Sequence, residues 1–454
     1  MNARAVKWRM GKKGASPDER IYQRELISGL GFSNKTIIEA LKRLVSAGIL
    51  EQGMEKRSEK GKTIWTKWYE PTFQGKWLTL LLKPPANVSH EVAREVIVEL
   101  FKMYMENVVK LSADYEIEPT IFEATMNKVF LQVLEKGTTP ATDKSRVAVY
   151  GSAAVDTIVV TCEDSDANGA QYLSDVHVHP GGSGVNVSVA LRRLGIPVSF
   201  VGKIGGDAEG VLLMREFLKE GVDTSKVILN LEQKTAKTFT TVDRSGKRRT
   251  YVLGGDGTAL SISSPEEIDW NEIEGSEAVY IGEVVTEIAE LIASFARSRE
   301  KRVFFCPGSS HQAFNAEKVR TVLRNVHIVI LSKGEWVRIR NGSTTTDLIE
   351  IWPEAILVTE GVEGCDVFTK DENYTVPGYS VNVKDPTGAR DAFAAGVISA
   401  MLETRSLRDC VDYALAVSSL SVTDIGARST LPTRTEVEEF LKAYREGQDR
   451  RTAI

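Results

Sequence analysis

The residues with the clearest chemical potential lie near the C-terminus, in the run Asp385-Pro386-Thr387-Gly388-Ala389-Arg390-Asp391. We expect an extended stretch, Tyr374 to Val383, before this run and an apolar-periodic helix, Asp391 to about Thr404, after it. A loop of small residues that opens a helix can bind an anion, because the first N–H groups of the helix lack partners and the helix dipole is positive there. Asp391 adds a carboxylate beside this anion site. An anion site next to a base is the arrangement that transfer of a phosphoryl group to a hydroxyl requires.

The composition indicates a soluble globular protein of two or three domains. The chain has 454 residues, of which 42% are hydrophobic and 26% charged. That length exceeds one ordinary domain. The sequence shows neither the run of about 20 apolar residues that a membrane helix needs nor an N-terminal signal, so we expect no membrane association and a cytoplasmic location. The four scattered cysteines favour reduced thiols over disulfides, and the spacing of the five histidines argues against a zinc site.

The organisation of the chain predicts four successive parts. These are an N-terminal domain (1–78), a helical segment for dimerisation or spacing (79–136), a linker (137–145) and a C-terminal domain (146–454). From Val147 onward, short β-rich runs alternate with helical patterns. This alternation predicts an α/β fold with a mostly parallel sheet covered by helices on both faces.

Glycines and polar residues near the ends of other predicted strands form a second candidate ligand site. Gly181 and Gly182 would let the backbone approach a ligand closely, and Asn186 offers both a donor and an acceptor. Asp156 follows a predicted strand, and ligands gather at the carboxyl ends of parallel strands. Paired sugar hydroxyls would suit Asp156, with a solvated loop aspartate as the alternative. Asp207 either bonds a ligand hydroxyl or caps the helix that follows it.

Taken together and in this order, the motifs resemble the ribokinase-like (PfkB-type) family of sugar and nucleoside kinases. The resemblance covers about Val147 to Leu441. One signature matches at Gly181, Gly182, Asn186, Gly195, Gly202, Gly205, Asp207 and Gly210. The other matches at Asp385, Thr387, Gly388, Ala389, Asp391 and Phe393. The family's fold is a doubly wound sheet with a small β lid, which residues of about 157–180 and 234–257 would form.

The resemblance also implies roles for individual residues. Asp391 would be the catalytic base, beside an anion hole of backbone amides from Gly388, Ala389, Arg390 and Asp391. The phosphoryl acceptor, a hydroxymethyl group of a sugar or nucleoside, would be held by Asp156, Gly181, Gly182 and Asn186. The nucleotide would contact Ser332, Thr359, Gly361 and Gly364. ATP and Mg²⁺ would be the cofactors, with Glu335 acting on the metal through water, and a monovalent cation is left open as a third. The lid would also mediate a homodimer.

This sequence departs from the family's pattern at four positions. Arg390 replaces the second glycine of Gly-Ala-Gly-Asp, and Ser332 replaces the asparagine of Asn-x-x-Glu. Cys306 stands where an aspartate is common. Ala154 replaces an asparagine of ribokinases proper, which argues against ribose as the default acceptor. Three readings of Arg390 stay open: its guanidinium aids transfer at the phosphates, points away from them, or blocks the γ-phosphate and leaves a binding-only protein.

The N-terminal region is basic, since residues 1–75 carry 15 Lys and Arg against 8 Asp and Glu in a chain of net charge −5. Its helix–turn–helix followed by a strand–turn–strand pattern resembles a winged helix, a DNA-reading module. The resemblance implies contacts to base edges of duplex DNA from Ser33, Asn34, Lys35 and Thr36. Phosphate contacts would come from Lys42, Arg43, Lys56, Arg57, Lys60 and Lys62. A winged helix that binds protein is the alternative.

Two functions are therefore carried forward. The first is an active ATP-dependent kinase fused to a DNA-binding domain. The second is a transcription regulator that uses a catalytically weak kinase fold as a sugar or nucleoside sensor.

Overall fold

The computed structural model describes residues 20–59, 62–72, 75–76, 90–115, 117, 125–131, 145–161, 173–242, 248–254, 258–308, 316–340, 353–403, 405–424 and 431–452. Its internal contacts divide the chain into two compact units, residues 1–121 and 122–454. Within the described ranges, every helix is too short or too polar to cross a membrane.

The first unit contains an antiparallel sheet of order β1-β3-β2, formed by β1 (Ile21–Tyr22), β2 (Leu50–Glu59) and β3 (Lys62–Pro71). Its described helices are α1 (Gln23–Gly29), α2 (Asn34–Ser46) and α3 (His90–Asp114). Apolar residues recur at helical spacing in α2, and Ile37 and Leu41 pack there with Leu26 and Tyr69 in a small core. The predicted order of two short helices followed by two strands is confirmed for these residues.

The strands of the second unit alternate with helices for most of its length. In chain order they are β4 (Val147–Gly151), β5 (Ala154–Thr161), β6 (Leu173–Gly181), β7 (Val198–Val201), β8 (Lys203–Gly205), β9 (Ile228–Asn230), β10 (Lys234–Val242), β11 (Arg248–Leu253), β12 (Thr258–Ala259), β13 (Ala278–Gly282), β14 (Arg302–Cys306), β15 (Ile328–Ser332), β16 (Ala355–Thr359), β17 (Cys365–Thr369) and β18 (Asn373–Val376).

The helices of the second unit lie between these strands and at its C-terminal end. The described ones are α4 (Ser183–Arg193), α5 (Ala208–Glu220), α6 (Trp270–Gly275), α7 (Thr286–Ser298), α8 (Ala316–Leu323), α9 (Lys333–Arg340), α10 (Ala389–Leu402), α11 (Leu407–Ser421) and α12 (Arg434–Thr452), with short 3₁₀ turns at Pro265–Glu267 and Gly361–Glu363. Residues 125–131 are also helical.

The main sheet has the order β18-β17-β16-β15-β14-β13-β4-β7. Its pairs are parallel from β7 to β16, whereas β17 and β18 add an antiparallel edge. Successive residues of a strand face opposite sides, and the core follows this rule. Val147 and Val149 join one apolar cluster, and Ala148 and Tyr150 join the other. The predicted parallel sheet with buried faces is confirmed.

A second sheet of order β11-β10-β5-β6, with β12 beside β10, contains the segments expected to form the lid, and we refer to this sheet as the lid. It pairs β5 with β10 in parallel and with β6 antiparallel. Asp156 stands opposite Thr238 on β10 and His179 on β6. Asp156 therefore lies on β5, one of the two central strands of the lid. In the main sheet, Ser332 and Thr359 lie at the edge where the parallel strands end.

Two element boundaries are sharper in the structure than in the sequence. The extended stretch expected over Tyr374 to Val383 is a β-strand only as far as Val376, because Pro377-Gly378 follows and proline cannot continue the hydrogen-bonded ladder. The helix expected from Asp391 begins at Ala389.

Candidate active site

A cleft of about 890 Å³ opens at the carboxyl ends of the parallel strands and is bordered by residues of the lid. Almost all the catalytic, acceptor and nucleotide residues proposed from the sequence line it. They are Asp156, Gly182, Asn186, Ser332, Thr359, Gly361, Gly364, Gly388, Ala389, Arg390 and Asp391. Gly181 and Glu335 are not among the lining residues. The topology thus brings together two signatures that lie some two hundred residues apart in sequence.

Asp391 is a buried carboxyl in the first turn of α10, with 8% of its surface exposed. Its Oδ1 accepts a hydrogen bond from Ser183 Oγ (2.8 Å), and its Oδ2 accepts one from Asn186 Nδ2 (2.9 Å). Burial and the nearby charge of Glu283 raise the pKa of Asp391 to about 6, against the opposing effects of these hydrogen bonds and of Arg390. A carboxylate with such a pKa is mostly ionised at neutral pH and can still take up a proton, which suits a general base.

Asn186 keeps one polar atom unused beside this carboxyl. Its Nδ2 donates to Asp391, whereas its Oδ1 is buried and accepts no hydrogen bond from the described residues. A buried acceptor without a donor costs about 1–3 kcal/mol. A ligand hydroxyl that donates to this oxygen would remove that cost and would lie next to Asp391.

Asp156 enters the cleft from the lid. Its Oδ1 accepts a hydrogen bond from Thr238 Oγ1 on the neighbouring strand (2.6 Å). A Cβ atom on Gly181 would lie 2.0 Å from Asp156 Oδ2. The first glycine of the pair therefore makes room for the Asp156 carboxylate instead of lining the cleft. The second, Gly182, has φ +91° at the start of α4, a conformation that favours glycine.

The loop before α10 is held by its own first residue. The buried Asp385 accepts through Oδ1 from the Thr387 amide (2.9 Å) and from the Thr387 hydroxyl (2.7 Å). Gly388 then adopts φ +79° and starts the helix. Ala389 N–H donates to the carbonyl of Pro386 (3.3 Å). Binding of an anion by the Ala389 N–H would compete with this bond. The N–H groups of its neighbours, Gly388 and Arg390, are therefore the better candidates for the anion hole.

The proposed nucleotide residues lie at the ends of two neighbouring strands and in the turn that follows. Ser332 and Thr359 are partners in the β15–β16 register. After Thr359, Gly361 has φ +61° and Gly364 has φ +106°. A Cβ atom on Gly364 would lie 2.1 Å from the carbonyl oxygen of Val376. Both glycines are needed for this tight turn, which brings the backbone to the cleft.

Arg390 does not extend freely into the cleft, because it forms an ion pair. Its Nη1 donates to Glu335 Oε1 (3.0 Å) and Oε2 (2.8 Å). Glu335 is fully buried, while the Arg390 side chain keeps 23% of its surface exposed. Ser332 N–H (2.7 Å) and Ser332 Oγ (2.8 Å) also donate to Glu335 Oε2. The arginine and the serine that replace family residues thus meet on one carboxylate.

Comparisons with known proteins agree with this architecture. Residues 144–434 match the pfkB family of carbohydrate kinases. The chain belongs to this family. Its similar relatives include an ATP-dependent ribose-1-phosphate kinase of Halopiger xanaduensis, 31% identical over 61% of this chain and 91% of the relative. An Escherichia coli fructokinase is 30% identical over 57% of this chain and 91% of the relative. The pfkB kinase is accordingly a phosphotransferase with an alcohol group as acceptor.

Solved structures show the same fold. A ribokinase of Arabidopsis thaliana, solved with ribose and ATP, aligns with 66% of this chain and 99% of its own, at a TM-score of 0.58 and 23% identity. The second unit of the pfkB kinase is therefore a ribokinase-like α/β domain.

Glu335 does not fit the metal role that the family pattern gives it. A carboxylate has about four lone-pair positions, and Glu335 already accepts four hydrogen bonds from Ser332 and Arg390. Three of these bonds end on Oε2 and one on Oε1. The position left on Oε1 lies next to the Arg390 guanidinium, whose positive charge opposes a metal cation there. Among the described residues, no group of three His, Cys, Asp or Glu side chains is placed to hold a metal ion.

Sequence reasoning missed several polar contacts of the cleft. Ser183 holds Asp391, and its only sequence signal was its place directly after Gly181-Gly182. Glu283 has φ +53° and accepts from Ser152 Oγ (2.6 Å), features that no local pattern indicates. Thr238 supports Asp156 across a strand pair and lies more than eighty residues from it in sequence.

Asp207 caps a helix in this structure. Its Oδ1 accepts from the Gly210 amide (3.0 Å), and Thr235 donates to both of its oxygens. It is not a lining residue of the cleft. Of the two readings of Asp207, the contacts support the helix cap.

The start of α2 in the first unit is exposed. Ser33 caps the helix, since its Oγ accepts from the Thr36 amide (3.2 Å) and lies 2.7 Å from the Thr36 hydroxyl. These two hydroxyls are engaged with each other at the helix start. The remaining proposed DNA contacts of the helix also lie at the surface: Asn34, Lys35, Lys42 and Arg43.

The basic side chains of the strand pair are partly engaged. Arg57 lies 3.6 Å above the Tyr22 ring and donates to Glu55 (3.0 Å). Lys56 lies 5.3 Å from the Trp65 ring. Lys60 lies outside the described residues, and only the backbone of Lys62 is described.

Proposed function

We propose that this pfkB kinase transfers the γ-phosphoryl group of ATP to a hydroxymethyl group of a sugar or nucleoside. The observation that carries the proposal is the buried Asp391 carboxyl, with a pKa of about 6, beside the unused Oδ1 of Asn186. A hydroxyl that donates to Asn186 would lie next to Asp391, which takes its proton as the oxygen bonds to phosphorus. ADP leaves with the former bridging oxygen.

The acceptor would occupy the lid end of the cleft. Asp156 offers carboxylate oxygens from the lid, and the backbone around Gly181 and Gly182 allows close approach. The Asp156 carboxylate and the Asn186 amide, which both line the cleft, suit a polyhydroxylated ligand. Ala154, 2% exposed at the same end, supplies no polar group where ribokinases proper have an asparagine. This supports an acceptor recognised differently from ribose.

The nucleotide would occupy the opposite end, against Ser332, Thr359, Gly361 and Gly364. Its transferring phosphate would meet the N–H groups of Gly388, Arg390 and Asp391. Mg²⁺ would arrive bound to the phosphates of ATP, which it neutralises. Glu335 is engaged with Arg390 and Ser332 and would take no part in holding this metal ion. We propose no site for a monovalent cation.

An acceptor panel tests the activity. ADP formation is measured with ribose, ribose-1-phosphate, nucleosides, ketohexoses, ketohexose phosphates and 2-keto-3-deoxy acids. We expect turnover with at least one acceptor, and a loss of at least about 100-fold in the Asp391→Asn variant. Asp371→Asn, at an exposed turn residue, is the control for loss of one negative charge. No turnover with any acceptor would favour the sensor hypothesis instead.

We infer that residues 1–78 form a winged helix that binds duplex DNA. Two short helices, a strand pair and exposed basic residues support this inference, as does the excess of basic residues in the sequence. DNA affinity of the full chain should fall steeply with salt, because phosphate contacts release counterions. Lys35→Ala should weaken binding, and Lys42→Ala should lower the salt slope by about one if Lys42 contacts a phosphate. Lys442→Ala, an exposed lysine of the second unit, is the control, and affinity unaffected by salt would contradict the inference.

Two exposed apolar surfaces support a homodimer. On α3, within the proposed segment 79–136, large apolar side chains recur at spacings of four, three and seven residues and are each more than half exposed: Ile97, Phe101, Tyr104 and Leu111. This spacing is typical of helix pairing. The lid exposes Val178, Phe239 and Tyr251. Sedimentation equilibrium should give twice the mass of the chain. If α3 carries the contact, the Phe101→Glu/Tyr104→Glu variant should have a lower mass than the wild type. A monomeric wild type would contradict the dimer.

A further inference from the structure

Three of the positions that depart from the family pattern lie together around Glu335. Ser332 and Arg390 donate four hydrogen bonds to its carboxylate. Cys306 is 1% exposed at the end of β14 and is close enough to interact electrostatically with both Arg390 and Glu335. Burial raises the pKa of the Cys306 thiol to about 12, so this side chain is neutral. An aspartate at this position would add a second carboxylate, whereas the thiol adds no negative charge that would compete for Arg390.

This cluster fixes a positive charge at the anion loop. Among the described residues, Arg390 donates only through Nη1, to Glu335, which leaves the donors on Nε and Nη2 for another acceptor. Arg390 belongs to the first turn of α10 and lines the cleft together with Gly388, Ala389 and Asp391. A buried anion that holds one nitrogen of a guanidinium limits its rotamers, so little side-chain entropy is lost when the other nitrogens bind a ligand.

The partner that suits this site is a phosphate group. A planar guanidinium binds phosphate oxygens through two parallel N–H bonds, and the N–H groups of the helix start point at the same place. Two other carboxylates, Asp391 and Glu283, interact electrostatically with Arg390. Ser183 and Asn186 donate to the oxygens of Asp391, and Ser152 donates to Glu283.

We propose that Arg390, held in place by Glu335, is the protein's own cation for the terminal phosphates of the nucleotide. Arg390 is then a phosphate-binding residue and Glu335 its positioning residue, so that nucleotide binding does not depend on a metal ion at Glu335. This inference rests on the proposed function, which supplies the nucleotide.

The test compares nucleotide affinity with and without the metal. The probe is a non-hydrolysable ATP analogue, and its Kd is measured calorimetrically in EDTA and in excess Mg²⁺. The comparison variant is Ser332→Asn/Arg390→Gly, which reverts two departures at once and avoids the unfavourable step of leaving the buried Glu335 without a partner. Circular dichroism and thermal unfolding confirm that each protein is folded. Glu335→Gln tests positioning, because it keeps Arg390 and removes the charge that holds it.

For the wild type, we expect the two Kd values to agree within about threefold. In the double variant, Kd should rise at least tenfold in EDTA and recover in Mg²⁺, and Glu335→Gln should show part of this metal dependence. The proposal is overturned if wild type and double variant show the same ratio of Kd values, or if the wild type binds the analogue only with Mg²⁺. Absence of binding under both conditions would overturn the proposed function as well. Normal binding without phosphoryl transfer to any acceptor would count against the function alone.

Discussion

Replacing Asp391 by asparagine should stabilise the folded protein, and the gain should depend on pH. The Asp391 carboxyl is buried and its pKa is raised to about 6, whereas an aspartate in an unfolded chain has a pKa of about 3.9. Between these values the folded chain holds a proton that the unfolded chain has lost. Stability of the wild type therefore falls as pH rises through this window, and the full penalty is present above about pH 6.

The size of the effect follows from the difference in pKa. Each unit corresponds to about 1.4 kcal/mol, so a difference of about two units gives about 3 kcal/mol at pH 8. The Asp391→Asn variant lacks this titration and can still contact Ser183 and Asn186. For a unit of this size, about 2 °C per kcal/mol gives a rise in Tm of about 6 °C at pH 8. Near pH 4 the rise should vanish.

Differential scanning calorimetry from pH 4.5 to 8 at constant ionic strength measures this difference. The second unit is the larger and should give the transition of larger enthalpy. Asp371→Asn, an exposed aspartate, controls for the change in net charge. A Tm difference between Asp391→Asn and wild type that stays constant across the pH range would refute the reasoning, as would a less stable variant at pH 8.

Four further predictions concern activity. Since Asp391 must be ionised to act as a base and its pKa is raised to about 6, kcat/KM should fall about tenfold per pH unit well below pH 6. Because the Arg390 charge opposes that rise in the pKa, the acid limb of the kcat/KM profile should move to higher pH in the Ser332→Asn/Arg390→Gly variant. If the limb does not move, the titrating group belongs to the substrate. Gly181→Ala should displace Asp156, whose Oδ2 lies 2.0 Å from the new Cβ position, and raise the acceptor KM at least tenfold with little change in nucleotide Kd. Gly388→Ala should strain the φ +79° turn by about 1–2 kcal/mol and lower kcat, and wild-type kinetics would contradict the role of the loop.

The sequence predicted the main sheet and most of the cleft because both rest on local patterns. Apolar strands that end in glycine or polar residues mark both the core and the ligand edge, as in Ile328–Ser332 and Ala355–Thr359. The start of α10 was misplaced because the left-handed conformation of Gly388 is a backbone property that a list of residue types does not show.

The contacts that decide the chemistry could not be predicted, because they join distant parts of the chain. Three readings of Arg390 stayed open, since its partner Glu335 lies 55 positions away in sequence. The observed ion pair combines two of them: the guanidinium is turned towards Glu335, yet it still borders the cleft. The contact of Ser183 with Asp391 spans 208 positions and depends on how α4 and α10 pack.

The central claim is that Asp391 removes the proton of an acceptor hydroxyl while a phosphoryl group is transferred to it. The most direct measurement is a single-turnover experiment with enzyme in excess over γ-³²P-labelled ATP and the best acceptor of the panel. We predict labelled phosphomonoester with wild type and with Asp371→Asn, and at least about a 100-fold slower transfer with Asp391→Asn at unchanged nucleotide Kd. Equal transfer rates for wild type and Asp391→Asn would contradict the account.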